Sequence, residues 1–400
     1  MNKSLSQLAV VHYGKSPNSV RQLDGAYPVY GSSGLVAQAN EKLFDGKGIV
    51  VARKGTLGNP TYVEGGVWVI DTAFYVDPLP GVNAKWLFYQ LQNFDLTKLN
   101  EATGVPSIGR DQLYRVEFFT PYEPMQERIA EILSSLDDQI AVTEQLLGKT
   151  TGIKQGMMVD LFSRGVDPAT GHLRPSVQDA PDLYQETPLG LLPKGWSVVE
   201  LEKLLADVVA PMRSGPFGSA LLKEELVDEG IPLLGIDNIF VEHFKPEYRR
   251  FVTPEKFQEL SRYAVRAGDV VITIMGTVGR TCVIPDNIGV ALSSKHLWTM
   301  TFDTQQILPD LVCWQLNYSS WAESWFRRES QGGVMEAIQS QTLKRLKLIV
   351  PAPEEQEKLK EIYLNLNCRL DSERKQLAKL KLEKAGLMRD LLTGKVPVSA

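Results

Sequence analysis

The sequence predicts an α/β (α+β) chain in which two similar domains are separated by two long helices. The helices are expected to pair as an antiparallel coiled coil, giving the chain a pseudo-two-fold repeat. Three features predict this. One is a gap-free internal repeat, the second an apolar stripe present in both copies, and the third a set of β-branched runs with Gly-rich turns ahead of each copy.

The repeat lays residues 121–166 on 351–396 at a constant offset of 230. Pro121, Gln126, Glu127, Glu131, Ile132 and Leu136 meet Pro351, Gln356, Glu357, Glu361, Ile362 and Leu366. Lys154, Gly156, Met158, Asp160, Leu161 and Val166 meet Lys384, Gly386, Met388, Asp390, Leu391 and Val396. Two unrelated helices match at some apolar and charged positions. A shared proline, glycine and exit sequence mark duplication.

Each copy follows a strand-like run, Val116–Thr120 or Leu346–Val350, and its proline is expected at the helix start, where a missing N–H costs nothing. The second copy carries a stripe at Leu359, Tyr363, Leu366, Leu370, Leu377, Leu380, Leu387 and Leu391. The first follows with Ile129, Leu133, Leu136, Ile140, Leu147, Met157 and Leu161, interrupted at Thr143, Thr150 and Lys154. Helices of ~40 residues reach ~60 Å. One alone cannot hide its stripe, so either each helix packs on its own domain or the two pack on each other. Duplication favours the second, with Ile129, Leu133, Leu136, Ile140, Leu147, Leu359, Tyr363, Leu366, Leu370, Leu377 and Leu380 as pairing residues.

The domains between the helices repeat more loosely. Ile49–Ala52 precede Gly55, Thr56 and Gly58, as Val270–Ile274 precede Gly276, Thr277 and Gly279. Gly104-Val105 and Ser107-Ile108 resemble Gly333-Val334 and Ala337-Ile338. The expected order is a first domain over 1–120, a first spacer helix over 121–166, a linker over 167–194, a second domain over 195–350 and a second spacer helix over 351–396. The linker carries Pro168, Pro175, Pro181, Pro188 and Pro193 and is expected to be mostly extended.

At 400 residues, with 43% hydrophobic and 23% charged, the chain can bury at least two cores. No run approaches the ~18 apolar residues of a membrane span, and residues 1–17 lack a cleavage-site pattern, so a cytoplasmic protein is expected. Cys282, Cys313 and Cys368 are scattered and odd in number, and four dispersed histidines offer no metal-ligand spacing; no metal is expected. The net charge of −5 argues mildly against nucleic acid. Residues 1–120, however, carry 11 Lys and Arg against 10 Asp and Glu, and 167–186 carry 1 against 4.

Catalytic motifs are sparse. Asn59-Pro60-Thr61-Tyr62 resembles the N-P-P-[YF] loop of amino-methyltransferases, but Thr61 replaces a proline and no Gly-rich cofactor loop precedes it. Neither a G-x-x-x-x-G-K-[ST] phosphate loop nor a G-x-S-x-G elbow occurs. Jointly these point to a binding protein rather than an enzyme.

PMQERIAEILSSLDDQI, PAPEEQEKLKEIYLNLNCRLD, LFSRGVDPATGHLRP, ETPLGLLPKGWSVVEL and the looser RAGDVVITIMGTVGR resemble the specificity subunit of type I restriction–modification systems, over nearly the whole chain. The resemblance implies two target-recognition domains, each reading half of a split double-stranded DNA target. The helices would set the gap between halves and dock two methyltransferase subunits, which supply S-adenosylmethionine chemistry. Restriction/translocase subunits would bring ATP and Mg, leaving this chain without a cofactor. The first domain departs from the pattern, lacking the Gly195-Trp196 opening of the second.

Base reading needs side chains in polar loops beside strands. The first domain offers Lys15, Arg21, Tyr30, Ser32, Ser33, Arg53, Lys54, Thr56, Ser107 and Arg110. The second offers Arg213, Ser214, Ser219, Lys223, Asp237, Asn238, Thr277, Arg280, Lys295, His296 and Gln331, with Asn238 suited to adenine and Arg213 to guanine. Gln126-Glu127 and Gln356-Glu357 are expected to share either a helix-dipole role or a role at the domain–helix junction. A stand-alone DNA amino-methyltransferase and a coiled-coil scaffold are the alternatives.

Overall fold

A computed structural model describes residues 1–330 and 338–396, divided into two compact units. The first comprises Met1–Gly148 and the chain from Asp371 onward; the second is Lys149–Leu370. This division cuts both long helices, α3 (Glu123–Ser163) and α8 (Pro353–Leu391), so each unit holds one part of each.

In the first unit β1 (Asn2–Ser4) pairs antiparallel with β9 (Glu117–Phe119). An antiparallel four-stranded sheet runs in the order β2 (Ala9–Tyr13), β8 (Ala73–Pro78), β5 (Lys47–Ala52), β6 (Thr61–Glu64). A smaller sheet has β4 (Gly34–Ala39), β3 (Tyr27–Gly31) and β7 (Trp68–Val69), with β3 and β7 parallel. Helices α1 (Ala84–Asn93) and α2 (Arg110–Tyr114) complete it. The run Ile49–Ala52 shows no alternation because β5 is covered on both faces. Ile49 and Val51 join the core under α1, while Val50 joins a separate cluster with Val69 and Tyr75.

The second unit repeats this plan. After a hairpin of β10 (Tyr184–Thr187) and β11 (Gly190–Pro193), β12 (Ser197–Glu200) pairs with β23 (Lys347–Val350) as β1 pairs with β9. The four-stranded sheet is β13 (Met212–Ser214), β22 (Leu297–Met300), β19 (Val270–Thr273), β20 (Thr281–Val283), in the same order and all antiparallel. The smaller sheet is β17 (Phe251–Val252), β14 (Ile231–Leu234), β21 (Ala291–Ser293), β18 (Ala264–Val265), with β14 and β21 parallel like β3 and β7. A hairpin of β15 (Ile239–Phe240) and β16 (His243–Phe244) and helix α4 (Pro254–Glu259) are additions. Helices α5 (Pro309–Tyr318) and α7 (Ser340–Arg345) take the places of α1 and α2, with α6 (Ser320–Ser330) inserted between them.

Within each unit the two helix parts run antiparallel. In the first, Asp137 meets Lys384 at 2.6 Å and Glu144 meets Lys381 at 2.7 Å, numbers rising on α3 as they fall on α8. Ile129 and Leu133 share a core with Met388 and Leu391. In the second, Met158 and Leu161 share a core with Leu359 and Tyr363. The helices thus do both things considered from sequence, each start packing on its own domain and on the end of the other helix. Leu370 and Leu380 are also buried, and Leu136, Ile140, Leu147, Leu366 and Leu377 are half-buried.

The apparent interruptions lie inside the seam. Thr143 is buried and its hydroxyl donates to the Gln139 carbonyl at 2.7 Å. Thr150 is buried too. Lys154 bonds Glu242 at 2.6 Å and the Tyr363 hydroxyl at 3.0 Å. Burial, then the Glu242 carboxylate, pushes the Tyr363 phenol far up, so it stays protonated as a donor.

Two expectations need correction. Pro121 and Pro351 lie just before the helices, and what the fold uses is their carbonyl. Gln126 Nε2 donates to Pro121 O at 2.9 Å, and its Oε1 accepts from Asn83 N at 2.9 Å. Gln356 repeats this with Pro351 O at 2.9 Å and Leu308 N at 2.8 Å. Both glutamines are buried, while Glu127 and Glu357 are exposed. The junction role therefore belongs to the glutamines.

The connector 167–194, expected as mostly extended, is folded. Its Leu192 is buried with Trp196 and Ile349. Arg174 pairs with Glu355, which also accepts from Trp196 Nε1 at 2.7 Å and Val166 N at 2.9 Å. Glu355 is 1% exposed, and the equivalent position in the first copy is Met125. This buried carboxylate accounts for the Gly195-Trp196 opening being confined to the second domain.

Replacing Gln126 or Gln356 by Leu leaves a buried N–H and a carbonyl unpaired. A loss of ~1–3 kcal/mol is expected, read as a lowered urea midpoint for the unit concerned; an unmoved midpoint in both variants contradicts the junction role.

Candidate nucleic-acid interface

In each domain the same four turns of the two sheets meet at one place. In the first they follow β2, β3 and β5 and precede β8. Lys15 N donates to Val69 O at 2.9 Å, Ile70 N to Tyr30 O at 2.9 Å, and Arg53 N to Thr72 O at 2.9 Å. In the second they follow β13, β14 and β19 and precede β22. Gly215 N donates to Ser294 O at 3.1 Å, Ser294 N to Leu234 O at 3.0 Å, and Ile274 N to His296 O at 3.0 Å. The first of these crossings demands glycine in both copies. A Cβ on Gly14 would lie 2.1 Å from Ile70 O, and one on Gly215 2.1 Å from Ser293 O.

A fifth segment joins the first-domain face. Gly55 N donates to Pro106 O at 2.9 Å, Ile108 N to Arg53 O at 2.9 Å, and Lys54 bridges Ser107. This sets Lys54 against Ser107, Arg53 beside Arg110 and Ser32 next to Gly55, with Lys15, Ser33 and Thr56 as chain neighbours on the same turns. At its centre the Arg53 and Arg110 guanidinium groups stand 5.0 and 5.1 Å from the exposed ring of Tyr13. The tyrosine was missed from sequence, although an aromatic beside Gly14-Lys15 at a strand end is a usable signal. Such a ring offers a stacking surface between two cations.

Two first-domain candidates lie elsewhere. Arg21 bridges Ala39, at the far end of the β3–β4 hairpin from Ser32 and Ser33, on a concave patch with Leu23, Leu35 and Val36. Tyr30 is half-buried against the cluster of Val50 and Tyr75.

In the second domain Ser219, Lys223 and Lys295 are exposed, and the half-buried His296 lines one cavity with Lys223 and Lys295. Burial, with Lys295 and Arg250 nearby, holds the His296 imidazole below its ordinary range. Arg280 lies over the Phe240 ring at 5.5 Å, and Thr277 is half-buried. Gln331 lies outside the described residues.

Two base-reading assignments are corrected. Arg213 is 4% exposed and faces inward, pairing with Asp269 and donating to Ala264 O at 2.7 Å and Thr301 Oγ1 at 3.0 Å. Asp269 is fully buried, so the pair is a core element. Asn238 is 1% exposed and spends its amide on the backbone, accepting from Gly235 N and donating to Lys245 O and Glu247 O. Ser214 is also buried, its hydroxyl reaching Lys295 O at 3.4 Å. Asp237 holds Arg250, a residue sequence reading passed over.

For catalysis the geometry offers little. Thr61 and Tyr62 of the Asn59–Tyr62 run begin β6, and Tyr62 lies beneath Lys85 at 5.7 Å. Burial pushes the Cys282 thiol up to about 12 and Cys313 further, so neither ionises near neutrality. Among the described residues no cluster of His, Cys, Asp and Glu could hold a metal, and no helix is long and apolar enough to cross a membrane.

Comparison with known proteins agrees with this geometry. The family model "Type I restriction modification DNA specificity domain" matches residues 1–149. The type I restriction enzyme MjaVIII specificity subunit of Methanocaldococcus jannaschii is 23% identical over 323 residues, 78% of this chain and 70% of that protein. The EcoprrI specificity subunit of Escherichia coli is 30% identical over 112 residues, 28% of each chain. Among solved structures, the type I restriction–modification S subunit from M. genitalium covers 100% of this chain and 96% of its own, with a TM-score of 0.63 at 16% identity, a likeness of fold.

A duplicated α/β domain, each copy followed by a long helix, is the plan this chain has in common with those proteins. Residues 1–149 match the type I restriction modification DNA specificity domain, and the chain is similar over most of its length to specificity subunits of type I restriction enzymes.

Substituting Arg53 or Arg110 by Ala is expected to weaken target binding by ~1–3 kcal/mol with stability kept. Arg213→Met should do the reverse, costing ~3–5 kcal/mol of stability by stranding Asp269 and leaving the selected sequence intact. Parallel melting and binding curves separate the two; a changed selected sequence in Arg213→Met reinstates it as a reader.

Proposed function

We propose that each domain reads one half of a bipartite duplex DNA target through its loop face, and that α3 and α8 fix the gap between halves. The observation that carries this is the repetition of one loop face on one sheet order, followed each time by the same helix start. Two copies of a face suit two half-sites, and two equivalent helix starts suit two copies of one partner. In this reading the chain makes and breaks no bonds. Two methyltransferase subunits supply S-adenosylmethionine chemistry, and an ATP- and Mg-dependent translocase–nuclease joins for cleavage. The work is done in the cytoplasm, where the DNA is.

Binding rests on phosphate contacts for register and base contacts for choice. Neither domain is strongly basic, which fits a chain that shares its DNA contacts with the methyltransferase subunits. Co-expression with the methyltransferase followed by footprinting tests this. Protection of two short sequences at a fixed separation is expected; a single contiguous footprint overturns it.

The helices as a ruler give a second expectation. A heptad inserted at equivalent points of α3 and α8 adds ~10 Å and nearly preserves the seam. At ~3.4 Å per base pair, the tolerated gap should grow by about three base pairs with both half-sites unchanged. Altered half-site bases at an unchanged gap would contradict it.

A further inference from the structure

The second unit contains a cavity of about 290 Å³ whose wall brings Lys223, Arg250, Lys295, His296 and Ser294 together above apolar residues including Leu233. Its construction is specific. A Cβ on Gly235 would lie 2.1 Å from Arg250 Nη2, so the guanidinium packs directly over this glycine and a side chain there would displace it. Asn238 fixes the Gly235 loop through its three backbone bonds, and the neighbouring Asp237 carboxylate pairs with Arg250. The two residues read from sequence as base readers instead present a third.

Two buried polar atoms on this wall, Arg250 Nε and Ser294 Oγ, have no hydrogen-bond partner, and Ser294 is 7% exposed. Native proteins rarely leave such atoms unpaired. Arg250 Nε can only donate and so calls for an acceptor, and the Ser294 hydroxyl is able to donate to the same one. The cations Lys223, Arg250 and Lys295 outnumber the carboxylate facing them, Asp237. Glu225, close by in sequence to Lys223, is engaged by Lys256 at 2.8 Å.

We propose that this cavity seats one backbone phosphodiester of the DNA target, with Arg250 making the central contact and Asp237 positioning it. The proposal rests on the reading of the chain as a DNA-specificity subunit. Recessed donors suit a phosphate, since base reading requires a side chain that protrudes into a groove. The apolar wall suits the sugar carbons on either side, which a free phosphate lacks.

The test uses the full chain in complex with its methyltransferase partner and the duplex that the wild type selects. Arg250→Gln and the exposed Lys295→Gln are each expected to weaken binding severalfold, and to make the slope of log K against log salt shallower by about 0.9. The selected half-site should be unchanged. Neutralising single phosphates as methylphosphonates should reveal one position in the second half that matters to wild type and not to Arg250→Gln. If Arg250→Gln fails to fold, Lys295→Gln carries the same slope test. An unchanged slope, an altered base preference, or inorganic phosphate competing at the cavity while Arg250→Gln binds DNA normally overturns the proposal alone. A wild-type complex that selects no bipartite duplex overturns the functional reading, and the proposal with it.

Discussion

A buried carboxamide at the first turn of each long helix fixes where the preceding domain sits. Gln126 and Gln356 each bridge the proline carbonyl before the helix and the backbone N–H that opens α1 or α5. A second glutamine works further along those short helices. Gln90 donates to Phe119 O at 3.0 Å and Gln315 to Ile349 O at 2.9 Å, tying them to the strand that leads into the long helix. All of these partners are backbone groups. Apolar packing alone would tolerate sliding, whereas buried backbone polar groups accept few alternatives. Sheet, short helix and long helix are held in one relation, twice over.

Everything at the loop face depends on that relation. The turns that carry Lys15, Arg53 and Lys295 end strands whose positions the core dictates. Buried polar pairs take over where a loop would be unsupported. Arg213 with Asp269 anchors β13 to the turn before β19, and Asn238 closes the turn after β14. Such residues resemble base readers in a sequence because both roles need the same donors.

What could be read from the chain follows from this distinction. The repeat was legible because residues that bond backbone, such as Gln126 and Gln356, survive duplication unchanged. The helices were legible through their stripe. Tyr89-Gln90-Leu91 and Trp314-Gln315-Leu316 carried the same signal and were overlooked, being short and set in unlike surroundings. Arg213 was misread since its partner, Asp269, lies 56 residues away. Glu355 has no counterpart at Met125, so the repeat gave no hint of its tie to Arg174 and Trp196. Arg250 sits in a charged stretch that reads as solvated surface, and only folding sets it over Gly235.

The central claim is that one reading face has been duplicated and the two copies joined by a fixed spacer. Single-molecule sequencing of methylated bases in cells expressing this chain with the methyltransferase subunit proposed as its partner tests it most directly. The account predicts modification at a motif of two defined halves separated by a constant number of unspecified bases. A contiguous motif, or two halves at variable separation, would contradict it.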